Sequence, residues 1–188
     1  VKIRKNFIDK ELSYDVNINS KFIFLPLHLE QEHSTLILAP YYTNQLEFIK
    51  HVLKSIPVGY KLVIKEHPAM FARSWHSKTF YKELMSLPNT LLMHPSVDSN
   101  QLLKSCDLAI TVGGSVSFEA GYYQKPAVIF VETSWSMLSH IHKVDSIENL
   151  PSIIENALQT KPNNGEFLSY LEYLEQNSFS HNPYDIAQ

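Results

Sequence analysis

Lys61-Leu62-Val63-Ile64-Lys65-Glu66-His67-Pro68 is an apolar run that ends abruptly in charged and titratable residues and a proline. A continuous hydrophobic run of this length, with β-branched residues and a proline stop, reads as a buried parallel strand rather than a helix. In open α/β sheets ligands sit beyond the carboxyl ends of the strands. Lys65, Glu66 and His67 then stand at the lip of such a crevice, with Pro68 closing the strand. The alternative is a strand that simply ends in polar surface residues. A second stretch favours the crevice: Thr111-Val112-Gly113-Gly114-Ser115 leaves another apolar run and opens another helix.

Strand and helix patterns alternate on either side of these two stretches. Residues 21–28 read as a first strand, and residues 44–56 as an amphipathic helix with Leu46, Ile49, Val52, Leu53 and Ile56 at helical spacing, closed by Pro57 and Gly59. Residues 80–87 form a short helix and 90–95 a strand. Asp98 and Ser99 supply cap residues for a helix over 101–104. A strand over 107–112, a helix over 115–123 and a strand over 126–131 follow. Short, regular alternation of this kind predicts a parallel sheet built from right-handed crossovers. The expected fold is a doubly wound, Rossmann-like α/β sheet of about six strands flanked by helices.

The regularity weakens beyond residue 131. His140 and His142 lie two apart, off a common helical face, and read as surface residues. Helices are expected over 146–158 and 167–173. Residues 1–20 show no sustained period and read as a linker or N-terminal extension draped over the domain, outside its core. The expected organisation is 1–20 as extension, 21–160 as the Rossmann-like domain, and 161–188 as a C-terminal helix and tail. The chain opens at Val1 with no methionine, as a piece of a longer protein would.

The 188 residues are 44% hydrophobic and 19% charged, which places the chain with folded globular proteins. A net charge of −3 supplies no basic field for nucleic acid, so no nucleic-acid partner is expected. The single Cys106 forms no intrachain disulfide and reads as a buried structural thiol; a reducing compartment follows. No apolar stretch reaches the ~18 residues that span a bilayer. His28, Glu30, Glu32 and His33 crowd into the loop after the first strand, but spacing within a loop defines no metal geometry, and no metal is expected. Arg73, Trp75 and His76 follow the organising strand, where they face a ligand or simply pack.

Gly113, Gly114 and Ser115 sit where strand turns into helix, so amides without helical partners are expected there, and glycine allows a phosphate to approach the backbone closely. A glycine pair at a strand end is equally often just a turn. Glu119 lies one helical turn after Ser115, placed to accept hydrogen bonds from ribose hydroxyls, with solvation as its alternative role. His67 offers a hydrogen bond to the same phosphate and Lys65 adds positive charge. No dinucleotide fingerprint follows the first strand, no P-loop is present, and no nucleophile elbow appears.

The Lys65-Glu66-His67-Pro68 stretch, with residues 56–62 before it, the loop from Glu30 through Thr35, Pro88-Asn89, the run 110–120 and Lys125-Pro126-Ala127-Val128 resemble bacterial capsule and surface polysaccharide biosynthesis proteins of the GT-B glycosyltransferase type. The His-Pro pair is similar to that of bacterial sialyltransferases and capsular Kdo transferases. The resemblance covers roughly residues 21–155 and implies the C-terminal, donor-binding half of a two-domain enzyme. It places His67 on the donor phosphate as the catalytic histidine. Lys65, Glu66, Gly113, Gly114, Ser115 and Glu119 join it as donor-binding residues.

Val112-Gly113-Gly114-Ser115 departs from the Thr-Gly-Thr form associated with that turn, which bears on donor choice. The general base of the sialyltransferases belongs to the other half and has no counterpart in this sequence. The resemblance implies a sugar nucleotide as substrate, CMP-sugar ahead of UDP-sugar, and no cofactor. Implied partners are a saccharide or lipid-linked acceptor and an N-terminal GT-B domain, and the implied location is cytoplasmic, at most peripheral at the inner membrane. A fragment of this kind binds nucleotide weakly and turns over nothing alone. Two alternatives stand beside it: a GT-B type UDP-N-acetylglucosamine 2-epimerase-like enzyme, with acid and base groups from residues 28–33, and a non-catalytic interaction module that kept the fold.

Overall fold

The computed structural model describes residues 2–29, 37–71 and 76–179. Six strands form one all-parallel sheet: β1 (Phe22–Pro26), β2 (Lys61–Lys65), β3 (Thr90–Met93), β4 (Leu108–Ile110), β5 (Ala127–Ile129) and β6 (Ile141–Lys143). Their spatial order is β3-β2-β1-β4-β5-β6, so the direction of winding reverses between β1 and β4. Among the described residues seven α-helices flank the sheet: α1 (Lys2–Glu11), α2 (Gln45–Ser55), α3 (Lys78–Ser86), α4 (Ser99–Ser105), α5 (Val116–Tyr122), α6 (Leu150–Gln159) and α7 (Asn164–Gln176). None of them is long and apolar enough to cross a membrane.

Strand alternation divides the core in two, because successive side chains point to opposite faces. Ile23, Leu25, Leu62 and Ile64 face α1, α2, α3 and α6, where Ile49, Val52, Tyr81, Leu84 and Ile154 meet them. Phe22, Phe24, Val63 and Ala109 face α4, α5 and α7, against Leu102, Leu103, Ala120 and Phe167. Covering both faces is what allows strands with almost no polar positions. Helix starts follow the capping signals: the Asn44 side chain accepts the Glu47 amide, Ser77 that of Phe80, and Asp98 that of Asn100.

Two sequence expectations change at the edges. The first twenty residues include a helix, α1, and Ile8 within it and Leu12 just after it are 0% and 4% exposed within the core. Ser13 then pairs alongside Met93 and receives the His94 amide, extending the β3 edge. Within α1 Ile8 is buried and Phe7 packs beside it against Tyr81, a short apolar contact that sets up no sustained period, so the docking of α1 is a tertiary choice. At the other edge His142 belongs to β6 and His140 directly precedes it, and neither is a surface residue: His140 is 2% exposed and its Nε2 lies 3.2 Å from the Ser117 carbonyl oxygen, while His142 is half-buried. Burial lowers the pKa of both imidazoles. A three-residue strand carries too few positions for period two to show. The C-terminal α7 packs Phe167 against Phe118 of α5 and belongs to the same body.

Candidate functional site at the sheet's switch point

The reversal between β1 and β4 is where open α/β sheets form a crevice beyond their strand ends. From β4 the chain runs through Thr111 and Val112 into Gly113-Gly114-Ser115 and then α5, and from β1 through Leu27 into His28. These two tips are joined by side chains. His28 Nε2 lies 3.0 Å from Thr111 Oγ1 and 3.2 Å from the Val112 amide nitrogen, and Thr111 Oγ1 receives the Gly114 amide at 3.1 Å. The backbone of His28 is clamped by the first residue of α2: its amide donates to Gln45 Oε1 at 2.8 Å and its carbonyl accepts from Gln45 Nε2 at 3.0 Å.

The glycines at this turn are required by packing beneath them. A Cβ on Gly113 would meet Val131 Cγ2 at 2.3 Å, and one on Gly114 would meet Thr111 Oγ1 at 2.9 Å. The Gly114 amide, expected to face a phosphate, is turned inward to Thr111. Ser115 stays exposed, and its hydroxyl donates to Glu119 Oε1 at 2.8 Å, which orients that carboxylate one turn along α5. Glu119, half-buried, also lines a cavity of about 220 Å³ with Asn100, Phe118, Tyr122 and Phe167.

At the β2 tip the expected site residues separate. Lys65 is 3% exposed on the face of Val63, its Nζ 3.5 Å from the Glu66 carbonyl oxygen. Burial holds its pKa below the ordinary lysine value, with the charges of Glu66 and Asp98 opposing that shift. Glu66, on the opposite face, is 0% exposed. Its Oε2 accepts the Tyr81 hydroxyl at 2.5 Å and lies 2.9 Å from His76 Nδ1, while Oε1 accepts the His67 amide at 2.8 Å. Glu66 therefore anchors the turn into α3 instead of presenting a carboxylate to the crevice. His67 is half-exposed, and its Nδ1 accepts the Ala69 amide at 3.1 Å, so the ring proton sits on Nε2. Because β1 lies between β2 and β4, the backbones at His67 and at the glycine turn are separated by two strand spacings, about 10 Å.

Sequence reasoning gave Thr111 and Gln45 no role, and placed His28 at the end of the first strand as a metal-ligand or acid-base candidate rather than a support of the turn. The pairing of His28 with Thr111 spans 83 positions, and no local pattern announces it. Glu30, Glu32, His33, Arg73 and Trp75 lie outside the described residues. Among the described residues no three His, Cys, Asp or Glu side chains gather as a metal ion would need. Cys106 is buried, donates to the Leu103 carbonyl oxygen at 3.4 Å, and has its pKa pushed up to about 12 by burial, as suits a structural thiol.

Solved structures of similar architecture include the UDP-GlcNAc 2-epimerase of Methanocaldococcus jannaschii, at TM-score 0.58 and 18% identity over 94% of this chain and 50% of that one. A Thermosulfurimonas dismutans KpsC, a beta Kdo 2,4 transferase, matches at TM-score 0.54 and 13% identity over 80% of this chain and 44% of the other. The spinosyn rhamnosyltransferase SpnG, complexed with spinosyn aglycone, matches at 0.52 and 14% over 85% and 42%. The chain thus spans about half the length of the solved structures it matches and has the Rossmann-like architecture of one half of a GT-B fold. No curated protein matches it by sequence. The profile of the capsule polysaccharide biosynthesis proteins does match, over residues 1–140, and the chain belongs to that family.

Proposed function

We propose that the chain is the donor-binding half of a glycosyltransferase that builds a capsule or other surface polysaccharide. The observation that carries this reading is the switch-point crevice, where the Gly113–Ser115 turn and the oriented Glu119 lie on one side of the β1 tip and His67 on the other. Membership of the capsule family supplies the biological setting. A sugar nucleotide would place its phosphate between His67, donating from Nε2, and the turn, with its ribose hydroxyls on Glu119. Displacement of the nucleotide at the anomeric carbon leaves negative charge on that phosphate. Donors held in place before reaction stabilise it without reorganising.

Lys65, buried one residue before Glu66, adds a positive field from beneath the β2 tip. The donor proposed is a CMP-sugar ahead of a UDP-sugar, with no cofactor. The acceptor, a saccharide or lipid-linked glycan, and the N-terminal GT-B domain lie outside this chain. Catalysis therefore needs that second half, at a cytoplasmic site peripheral to the inner membrane.

Titration of CMP and UDP against the chain by calorimetry tests the reading. CMP is expected to bind weakly, with His67→Ala and Glu119→Ala each lowering affinity at least tenfold, about 1.4 kcal/mol. Binding of neither nucleotide, or binding indifferent to both substitutions, overturns it in favour of an interaction module. The 2-epimerase reading gains nothing from His28, whose Nε2 is occupied beneath the turn. Conversion of UDP-N-acetylglucosamine to its 2-epimer would restore that reading.

A further inference from the structure

The structure assigns His28 as the positioning residue of the Gly113–Ser115 turn, holding it in a ligand-ready shape through Thr111; the inference rests on the nucleotide reading above and extends it. An amide N–H can only donate, so the Val112 contact requires a lone pair on His28 Nε2 and places the ring proton on Nδ1. Because Nε2 carries no proton it can only accept, so Thr111 Oγ1, while accepting the Gly114 amide, gives its own proton to the same Nε2. The result is a directed chain, from the Gly114 amide to the Thr111 hydroxyl to the imidazole, with the Val112 amide as a second donor.

Every group in this chain is buried or half-buried, and His28 itself is 8% exposed. Buried amides lacking an acceptor are strongly disfavoured, so the imidazole lone pair holds the backbone from Val112 to Gly114 in one conformation. Gln45 in turn fixes the imidazole's backbone from α2. A phosphate at the turn therefore meets a preformed surface, because the Gly114 amide has been drawn inward. The backbone that remains is shaped before the ligand arrives. His28 touches no reacting atom in this scheme and acts through the turn.

Amide hydrogen exchange and CMP titration on the same protein separate the relay from the ligand it serves. In His28→Leu, exchange at Val112 and Gly114 should accelerate tenfold or more relative to Leu62 in β2, and CMP affinity should fall about tenfold. His28→Gln places a carbonyl oxygen where Nε2 stood and should recover both readouts to within about threefold. Thr111→Val should speed exchange at Gly114, and it carries the test if His28→Leu fails to fold. Unchanged exchange at Val112 and Gly114 in these variants, or a glutamine variant no better than leucine, overturns the assignment. If the wild-type chain binds neither CMP nor UDP while exchange responds as described, the nucleotide reading fails and the relay stands.

Discussion

The tips of β2 and β4 both end in polar residues, yet the two regions use them in opposite ways. At β2 the charged groups turn inward: Glu66 is enclosed by Tyr81, His76 and the His67 amide, and Lys65 is buried on the other face. At β4 the polar groups form a layer beneath the turn, where His28 and Thr111 hold Gly114 from below and leave Ser115 exposed above. A strand end rich in charge therefore need not turn that charge outward. What marks the β4 tip is support from a neighbouring strand at the point where the winding reverses.

The sharpest way to break this contrast is Glu66→Ala, which strips three buried or half-buried donors of their acceptor. It should destabilise the fold by about 3–5 kcal/mol, read from urea unfolding midpoints. Gly121→Ala tests the support behind the β4 side. A Cβ there would meet His140 Cε1 at 2.6 Å and Phe167 Cδ2 at 2.7 Å, and a loss of about 1–3 kcal/mol is expected, visible as a lower Tm. Thr111→Val removes the acceptor of the Gly114 amide and should lower stability by about 1–2 kcal/mol in the same urea assay. Its effect stays below that of Glu66→Ala if the β4 layer serves the turn more than the fold.

Acid sharpens the comparison from another side. Burial depresses the pKa of His140, which bonds the Ser117 carbonyl within α5, so the unfolded chain binds its proton more readily than the folded one. Stability from this group is complete above the unfolded value near ~6.5 and is lost as pH falls from there through the folded value. The urea midpoint should decline as pH falls below about 6.5, and more gently in His140→Gln. Smallest of all is Ser115→Ala, at an exposed hydroxyl, which should leave stability within about 0.5 kcal/mol while weakening CMP binding through the loss of Glu119 orientation.

Much of this was legible in the chain. The buried strands declare themselves as uninterrupted apolar runs, and α2 by its spacing and its Asn44 cap. The glycine turn showed through as two adjacent glycines in a chain with five. Glu66 illustrates the limit: its place at a strand end argued for the crevice, and only the approach of Tyr81 from α3 and of His76 shows that it serves the interior.

Hydrophobic periodicity, proline stops and cap residues act within a few positions, and they determined the alternating α/β order and the sites of the two strand tips. The winding order of the sheet, the docking of α1, the burial of His140 and the bond from His28 to Thr111 arose only when distant segments met. Contacts between residues tens of positions apart leave no periodic trace, since each depends on the packing of every element around it.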